Sequence, residues 1–297
     1  MMPGTRPRKS RRVQLAMSDK AAIDSVHTTI AVSSTTGQLS ESQLVQAKSA
    51  LDTAGYVILA RAALRERSRL DALRDKMAED YPDLYAETRT NYSPGHVQHS
   101  PPRDDPSFVF RDVVANAAVE QLIASVLGER TFLSLYSGNT NLPGSKQQPT
   151  HADIGHASLK QREPHSLTVN IPLVDTTEDN GSIQVWPGTH LDPKLHSLDQ
   201  HMPISSADVE ARKRDVPPVR VNTCKGDVLV RDPRLWHAGM ENVSGMPRTM
   251  LALMYEKEGT QPEEPRCTAP RFGSRCLPAF EGSKLANNVE FKTGEVG

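Results

Sequence analysis

The stretch from Lys225 to Tyr255, which reads KGDVLVRDPRLWHAGMENVSGMPRTMLALMY, indicates the fold class of this chain. It contains two short runs rich in β-branched and aliphatic residues, at 227–231 and 249–255. Runs of this length between turn residues are typical of strands, whereas a helix needs ten or more residues to show its period. The stretch therefore predicts two consecutive strands of one β structure.

The same pattern extends upstream as far as Gly128. Further short runs of β-branched and aromatic residues lie at 131–137, 166–173, 182–187 and 217–222. Turn residues such as Asn180-Gly181 separate these runs, and no helical pattern intervenes. Several short strands without intervening helices predict an antiparallel sandwich or barrel.

The first part of the chain has a helical pattern instead. Ser40 and Gln43 fit a capping box, and apolar or small residues then recur at helical spacing until Gly55, which predicts the helix end. Amphipathic helices are also predicted over 61–80 and 111–127. The fold class predicted from the residues is therefore mainly β with N-terminal helices.

These patterns divide the chain into a tail and one domain. Residues 1–37 are polar and rich in Ser and Thr, so we expect a disordered tail. Residues 38–297 are expected to form a single domain. Within it, a helical support covers about 38–128, the β core about 129–256, and a C-terminal extension 257–297.

Composition limits the classes of binding partner and the cellular compartment that we expect for this protein. The 297 residues carry a formal net charge of −1, so no overall field favours nucleic acid. No run of 18 apolar residues predicts a membrane span. The three cysteines and the lack of an apolar signal segment favour a reducing, cytoplasmic location. The Arg-rich, acid-free segment 1–17 leaves organelle targeting open.

His151-Ala152-Asp153 is the first motif with chemical content. Residues i and i+2 of a strand point to the same side, so this histidine and this aspartate could face one metal ion. His237, which follows the predicted strand at 227–231, offers a third ligand. Two histidines and one carboxylate form the facial triad of iron(II) oxygenases. A surface His-Asp pair with an unrelated core histidine remains the alternative at this point.

Arg248 lies 11 residues after His237 and opens the next predicted strand. A turn between the two residues would place them on neighbouring antiparallel strands. The guanidinium is planar and pairs with a carboxylate through two hydrogen bonds, which suits a dicarboxylate co-substrate. The alternative is a surface arginine in a turn.

Taken together, the motifs resemble the phytanoyl-CoA dioxygenase (PhyH) family of iron(II)/2-oxoglutarate enzymes over roughly residues 40–256. In order along the chain they are Gln148-Pro-Thr-His151-Ala-Asp153, Asn170-Ile-Pro-Leu-Val-Asp175, Asp179-Asn180-Gly181-Ser182, Trp186-Pro187-Gly188-Thr189-His190, Gly226-Asp227-Val-Leu-Val-Arg231 and His237-Ala-Gly239 through Asn242 to Arg248. The resemblance implies a double-stranded β-helix, that is, a jelly-roll, cupin-like core.

The resemblance also implies roles for individual residues. The residues that match the iron ligands are His151, Asp153 and His237. Arg248 matches the partner of the C5 carboxylate of 2-oxoglutarate. Gln148 resembles a co-substrate contact in some members, and Thr189 could donate a hydroxyl to the same carboxylate.

Fe(II), 2-oxoglutarate and O2 are the implied cofactors. The implied reaction is hydroxylation or another oxidation of an unactivated C–H bond in a small organic metabolite, with release of succinate and CO2. Three alternatives stay open: an acyl-CoA hydroxylase of the same family, a non-catalytic jelly-roll binding protein, and another metal enzyme on the same scaffold. A homodimer is also left open.

Some further residues are candidates for contact with the substrate. The loops 81–108 and 154–165 are expected to act as lids, and the charges of the second could meet an anionic substrate. Asn139 and Asn141 could hydrogen-bond to the co-substrate or the substrate. Alternation from His237 would place Arg231 on the ligand face, although the intervening proline makes the strand irregular.

Overall fold

The structure is a computed structural model that describes residues 27–80, 91–155, 163–192, 203–260, 269–284 and 289–292. The helices are α1 (Glu41–Ala54), α2 (Arg67–Asp80), α3 (Arg111–Val114), α4 (Ala117–Leu127) and α5 (Ser206–Asp215). The strands are β1 (Thr29–Ala31), β2 (Tyr56–Ala60), β3 (His96–His99), β4 (Thr131–Asn141), β5 (Ser166–Pro172), β6 (Ile183–Val185), β7 (Val219–Val221), β8 (Val228–Arg231), β9 (His237–Gly239), β10 (Arg248–Lys257), β11 (Arg271–Phe272) and β12 (Glu290–Phe291). The short 3-10 helices are Thr189–Leu191 and Ser274–Phe280.

Two sheets form the core. The major sheet has the order β1-β2-β8-β5-β10-β4-β3, and the minor sheet has the order β7-β6-β9. Apart from the parallel β1–β2 pair, the neighbours in both sheets are antiparallel. Apolar side chains of the two sheets pack together in one buried cluster, in which Ile58 and Leu229 of the major sheet meet Ile183 and Val221 of the minor sheet. The predicted jelly-roll fold is confirmed.

The helices cover the outer face of the major sheet. Leu251 and Leu253 of β10 belong to the same buried cluster as Leu122 of α4 and Leu70 of α2. A strand that is covered on both faces has no solvent side, so its sequence is apolar almost throughout. The residues of β10 that alternate with these leucines therefore face the inside of the jelly roll, where a cavity lies.

Helix α1 forms as its sequence predicts. The Ser40 hydroxyl accepts from the backbone N–H of Gln43 at 3.3 Å, and the Gln43 side chain accepts from the backbone N–H of Ser40 at 2.9 Å. The helix ends at Gly55, whose φ of 86° is in the left-handed region. A Cβ at Gly55 would lie 2.6 Å from Nδ1 of His190, so a glycine is needed there for space as well.

Replacing Ser40 with alanine is expected to destabilise the protein by about 1 kcal/mol, because the first turn of α1 loses its side-chain cap. Urea denaturation of the wild type and of Ser40→Ala measures the change in the free energy of unfolding. Ser49→Ala is the matched control, since Ser49 is exposed in the middle of the same helix. Equal losses in the two variants would contradict the capping role.

Three predicted features differ from the structure. Helix α5 (Ser206–Asp215) lies between strands β6 and β7, where no helix was expected. The helix predicted over 111–127 is interrupted, because Asn116 has an extended backbone and its side chain caps α4 by accepting from the N–H of Val119. The loop predicted over 81–108 contains strand β3, which pairs with β4 and buries His96 and His99. The residues 81–90 of that loop lie outside the described part of the chain.

The tail predicted over 1–37 is too long at its C-terminal end. Thr29–Ala31 form β1, which pairs with β2 and buries Ile30. Residues 1–26 lie outside the described residues, and the single-domain organisation of 38–297 stays a prediction. Of the helices in the described ranges, none has the length and apolar character needed to cross a membrane.

Candidate metal centre and co-substrate cavity

Three predicted ligands meet at one point inside the jelly roll. One ligand atom from each of His151, Asp153 and His237 lies within 4.8 Å of the others. The backbones of the two histidines bond to each other in both directions, with N–H to O distances of 2.9 and 2.8 Å. The bridge fixes the two rings side by side, with their centroids 4.3 Å apart.

The hydrogen bonds of the two histidines suit a metal. Nδ1 of His151 lies 2.9 Å from the carbonyl oxygen of Pro149, and Nδ1 of His237 lies 3.0 Å from that of Leu235. A carbonyl only accepts, so in each neutral ring the proton is on Nδ1 and the lone pair is on Nε2. Such second contacts orient metal-binding imidazoles in many proteins.

The charges of His151 and Asp153 fit as well. Burial lowers the pKa of His151 to about 3, so its imidazole is neutral at neutral pH. Burial alone would raise the pKa of Asp153, but the adjacent Arg231 guanidinium holds it well below its usual range. Oδ2 of Asp153 lies 2.7 Å from Nη2 of Arg231, and Oδ1 lies 3.5 Å from Nε2 of His237. An anionic carboxylate and two neutral imidazoles are the form that binds a divalent cation.

A cavity of about 410 Å³ opens beside these residues, between the two sheets. Alternate residues of β10 form one wall of this cavity, namely Arg248, Met250, Ala252 and Met254. Tyr92 stacks on the ring of His151, with the ring centroids 4.2 Å apart. The cavity thus extends from the three candidate metal ligands along β10, whose side chains form a partly apolar wall.

Arg248 is a cation of this cavity that has no counter-ion among the described residues. Its side chain is almost fully buried, and Nη2 donates to the carbonyl of Gly181 at 2.8 Å. Nε is buried without a hydrogen-bond partner, and no carboxylate of the described residues contacts the guanidinium. Burial lowers the pKa of Arg248 to about 10, which leaves it charged at neutral pH. A buried cation without a counter-ion is costly, so the site fits the carboxylate of a bound dicarboxylate.

Two sequence predictions about this site are wrong. His237 and Arg248 are not on neighbouring strands, because β9 belongs to the minor sheet and β10 to the major sheet. The two residues instead line the same cavity from opposite sheets. The Thr189 hydroxyl does not line it: it donates to the carbonyl of Trp186 and accepts from the N–H of Trp236. Thr189 therefore fixes the turn beside the metal strand.

Gln148 lines the cavity, but its amide already has two backbone partners. Nε2 donates to the carbonyl of Asn91 at 2.7 Å, and Oε1 accepts from the N–H of Gly239 at 2.7 Å. Gln148 thus ties β9 to the segment before β3, and its contact with a co-substrate stays a prediction. Asn139 and Asn141 also line the cavity, as their position on β4 requires.

The structure describes only some of the charged residues that we expected in the lid loop 154–165. His156, Lys160 and Arg162 lie outside the described residues, and His165 does not line the cavity. Sequence reasoning gave no role to Tyr92, since it falls in a segment without periodicity. Thr168 and Asn170 also line the cavity, and the only available signal was the position of Asn170 in one of the quoted motifs.

The family model for phytanoyl-CoA dioxygenase (PhyH) matches residues 51–250, about two thirds of the sequence. The chain therefore belongs to the PhyH family. This membership confirms the expected class, a non-haem dioxygenase of a family that uses Fe(II), 2-oxoglutarate and O2.

Similar proteins agree with this class. A protein named dioxygenase af480 from Aspergillus fumigatus is 26% identical over 158 residues, which is 52% of this chain and 46% of that protein. The chain thus spans less than half of the length of this relative.

Three solved structures share the fold. AviO1 from Streptomyces viridochromogenes has a TM-score of 0.54 at 21% identity and covers 75% of this chain and 99% of its own. SnoK, a non-haem α-ketoglutarate-dependent carbocyclase from nogalamycin biosynthesis, has a TM-score of 0.55 at 20% identity, over 74% and 84% of the two chains. EctD from S. alaskensis, solved with 2-oxoglutarate and 5-hydroxyectoine, has a TM-score of 0.58 at 19% identity, over 86% and 88%. At these identities the likeness shows the fold alone.

Proposed function

We propose that this chain oxidises an unactivated C–H bond of a small organic metabolite, with Fe(II), 2-oxoglutarate and O2 as cofactors and with succinate and CO2 as co-products. Hydroxylation is the simplest outcome of such a reaction. The observation that carries the proposal is one cavity with two separate features. It has the cluster of His151, Asp153 and His237 on one side and, on the other, the buried guanidinium of Arg248, which no carboxylate of the described residues contacts.

The proposed roles follow from the contacts. His151, Asp153 and His237 would hold Fe(II) through two Nε2 atoms and one carboxylate oxygen, which leaves positions open for co-substrate and O2. Bound iron with 2-oxoglutarate and O2 supplies the oxidation of a C–H bond, coupled to decarboxylation of the co-substrate. The guanidinium of Arg248 would pair with the C5 carboxylate and so orient the other end of 2-oxoglutarate towards the metal.

The protein otherwise positions the substrate and excludes water. Leu135, Met250 and Met254 make part of the cavity wall apolar, which favours a substrate with a hydrocarbon portion. The placement of the metal ligands between two sheets shields the reacting atoms from bulk water. No side chain is required as a general base for hydrogen-atom abstraction, so none is assigned.

A small substrate is favoured over an acyl-CoA thioester. The cavity of about 410 Å³ is near the lower end of the range for small-molecule sites, and 2-oxoglutarate must occupy part of it. SnoK belongs to nogalamycin biosynthesis and EctD was solved with 5-hydroxyectoine, a small metabolite, which supports the same preference.

The test is the turnover of 2-oxoglutarate. We expect the purified protein to convert 2-oxoglutarate to succinate slowly even without the substrate, in a reaction that needs both Fe(II) and O2. Succinate is measured by chromatography, with Zn(II) in place of Fe(II) as the control. Turnover with Zn(II), or no 2-oxoglutarate binding at all, would contradict the proposal and favour the binding-protein or other-metal alternatives.

A further inference from the structure

A row of cavity residues crosses the major sheet at the end remote from Arg248. The strand registers place Leu135 opposite Met254, Met254 opposite Thr168, and Thr168 opposite Arg231. All four side chains line the cavity. The row thus runs over β4, β10, β5 and β8, apolar at its first two positions and polar at its last two.

Arg231 has donor capacity that the protein does not use. Its Nη2 lies 2.7 Å from Oδ2 of Asp153, and its Nε donates to Oδ1 of Asn170 at 3.2 Å. Its Nη1 is buried and has no hydrogen-bond partner among the described residues. The hydroxyl of Thr168, directly opposite on the next strand, is also buried and without a partner. Thr168 and Arg231 are paired across adjacent strands, and each has a buried donor without an acceptor among the described residues, which indicates a missing ligand group.

The charged side chains that line the cavity indicate that the missing ligand group is negatively charged. Asp153 is the only acidic side chain among the described residues that line the cavity, whereas Arg231 and Arg248 are both cationic. A divalent metal and the dianion of 2-oxoglutarate balance each other, which leaves two arginines against one aspartate. The loaded cavity therefore keeps one uncompensated positive charge, and a monoanionic substrate would neutralise it.

This position is distinct from that of the co-substrate carboxylate. Arg248 and Met254 are six residues apart on β10. At about 3.3 Å per residue the Cα atoms of these two residues are roughly 20 Å apart along the strand, although the side chain of Arg248 reaches into the cavity between them. An anion bound by Nη1 of Arg231 is separate from the C5 carboxylate, because Arg231 lies beside the metal ligand Asp153, whereas 2-oxoglutarate must reach from the metal to Arg248.

We propose that Arg231 and Thr168 bind the carboxylate of the substrate, whose hydrocarbon portion lies against Leu135 and Met254. The substrate class is thus a small carboxylic acid with one negative charge, an inference that rests on the proposed function. Because Arg231 also contacts the metal ligand Asp153, the carboxylate is held close to the metal. The oxidised C–H bond is then only a few bonds away from the carboxylate.

The experiment compares straight-chain carboxylates from butanoate to octanoate with their neutral amides. Binding is measured by calorimetry under nitrogen, with the full chain loaded with Fe(II) and saturated with 2-oxoglutarate. We expect at least one carboxylate to bind about tenfold or more tightly than its amide, since a hydrogen bond to a charged group is the stronger kind. If every acid binds no better than its amide, or none binds, the anion site is disproved.

Thr168→Val tests the site without touching the metal ligands. The variant is expected to bind the preferred carboxylate about tenfold more weakly, whereas its affinities for the amide, for Fe(II) and for 2-oxoglutarate stay unchanged. The matched control is Thr140→Val, because Thr140 also lines the cavity but its hydroxyl already bonds to Thr249 and His99. Equal effects of the two variants would overturn the role of Thr168.

Arg231→Lys tests the charge with the ion pair to Asp153 preserved. An ammonium cannot serve two anions with the geometry of a guanidinium, so we expect Fe(II) binding to persist and the preference for carboxylate over amide to fall about tenfold. Succinate formation without substrate is measured on the same samples. If the wild type forms succinate but does not prefer carboxylate over amide, only the anion site fails. If the wild type forms no succinate either, the proposed function fails.

Discussion

Replacing Arg248 with alanine is expected to weaken 2-oxoglutarate binding by roughly 2–5 kcal/mol, the usual cost of truncating one partner of a buried charge pair. That corresponds to a loss of about 30-fold or more in affinity. The physical reason is the burial of Arg248, which is 3% exposed and has no carboxylate partner among the described residues. Without the guanidinium, the C5 carboxylate would lose its charge partner in a desolvated cavity.

The measurement is the dissociation constant of 2-oxoglutarate at saturating Fe(II). Arg248→Lys should recover only part of the affinity, because an ammonium cannot form two parallel hydrogen bonds. Arg220→Ala is the matched control, since Arg220 lies on β7, does not line the cavity and donates to the carbonyl of Glu178. Wild-type affinity in Arg248→Ala would mean that the co-substrate is held elsewhere.

Replacing His151 with alanine, or Asp153 with alanine, is expected to abolish Fe(II) binding and turnover. Each change removes one of three ligand groups that lie within 4.8 Å of one another, and two remaining ligands do not hold the ion in place. Loss of a group that only supports a ligand already costs about 10–100-fold in metal affinity, so loss of a ligand should exceed that range.

Fe(II) titration of the purified variants measures this effect, and circular dichroism checks that the β core remains folded. Asp153→Ala also leaves Arg231 buried without its carboxylate, so we expect it to be less stable than His151→Ala. His165→Ala is the matched control, because this half-buried histidine does not line the cavity. Fe(II) affinity like that of the wild type in His151→Ala or Asp153→Ala would refute the triad.

Local patterns in the sequence predicted much of the fold. Helix α1 begins at its capping box and ends at Gly55 because both signals act through neighbours only a few residues away. The predicted strand runs begin and end within a few residues of the observed strands, because the length and composition of each strand are properties of the segment itself. His151, Asp153 and His237 were candidates for the same reason: the residue types and their spacing carry the chemistry.

The tertiary structure decided which of these segments meet. His237 and Arg248 line one cavity from opposite sheets, and the 11-residue spacing alone suggested neighbouring strands. Arg231 lies opposite Thr168 because β8 pairs with β5 in a particular register, and its side chain contacts Asp153, which belongs to neither strand. Register depends on contacts between residues far apart in the chain, and a slip of one residue would turn each side chain to the other face. The sequence by itself thus determined the strands, the helix caps and the types of the candidate ligands, whereas long-range pairing determined the cavity and brought Arg231 and Arg248 into its wall.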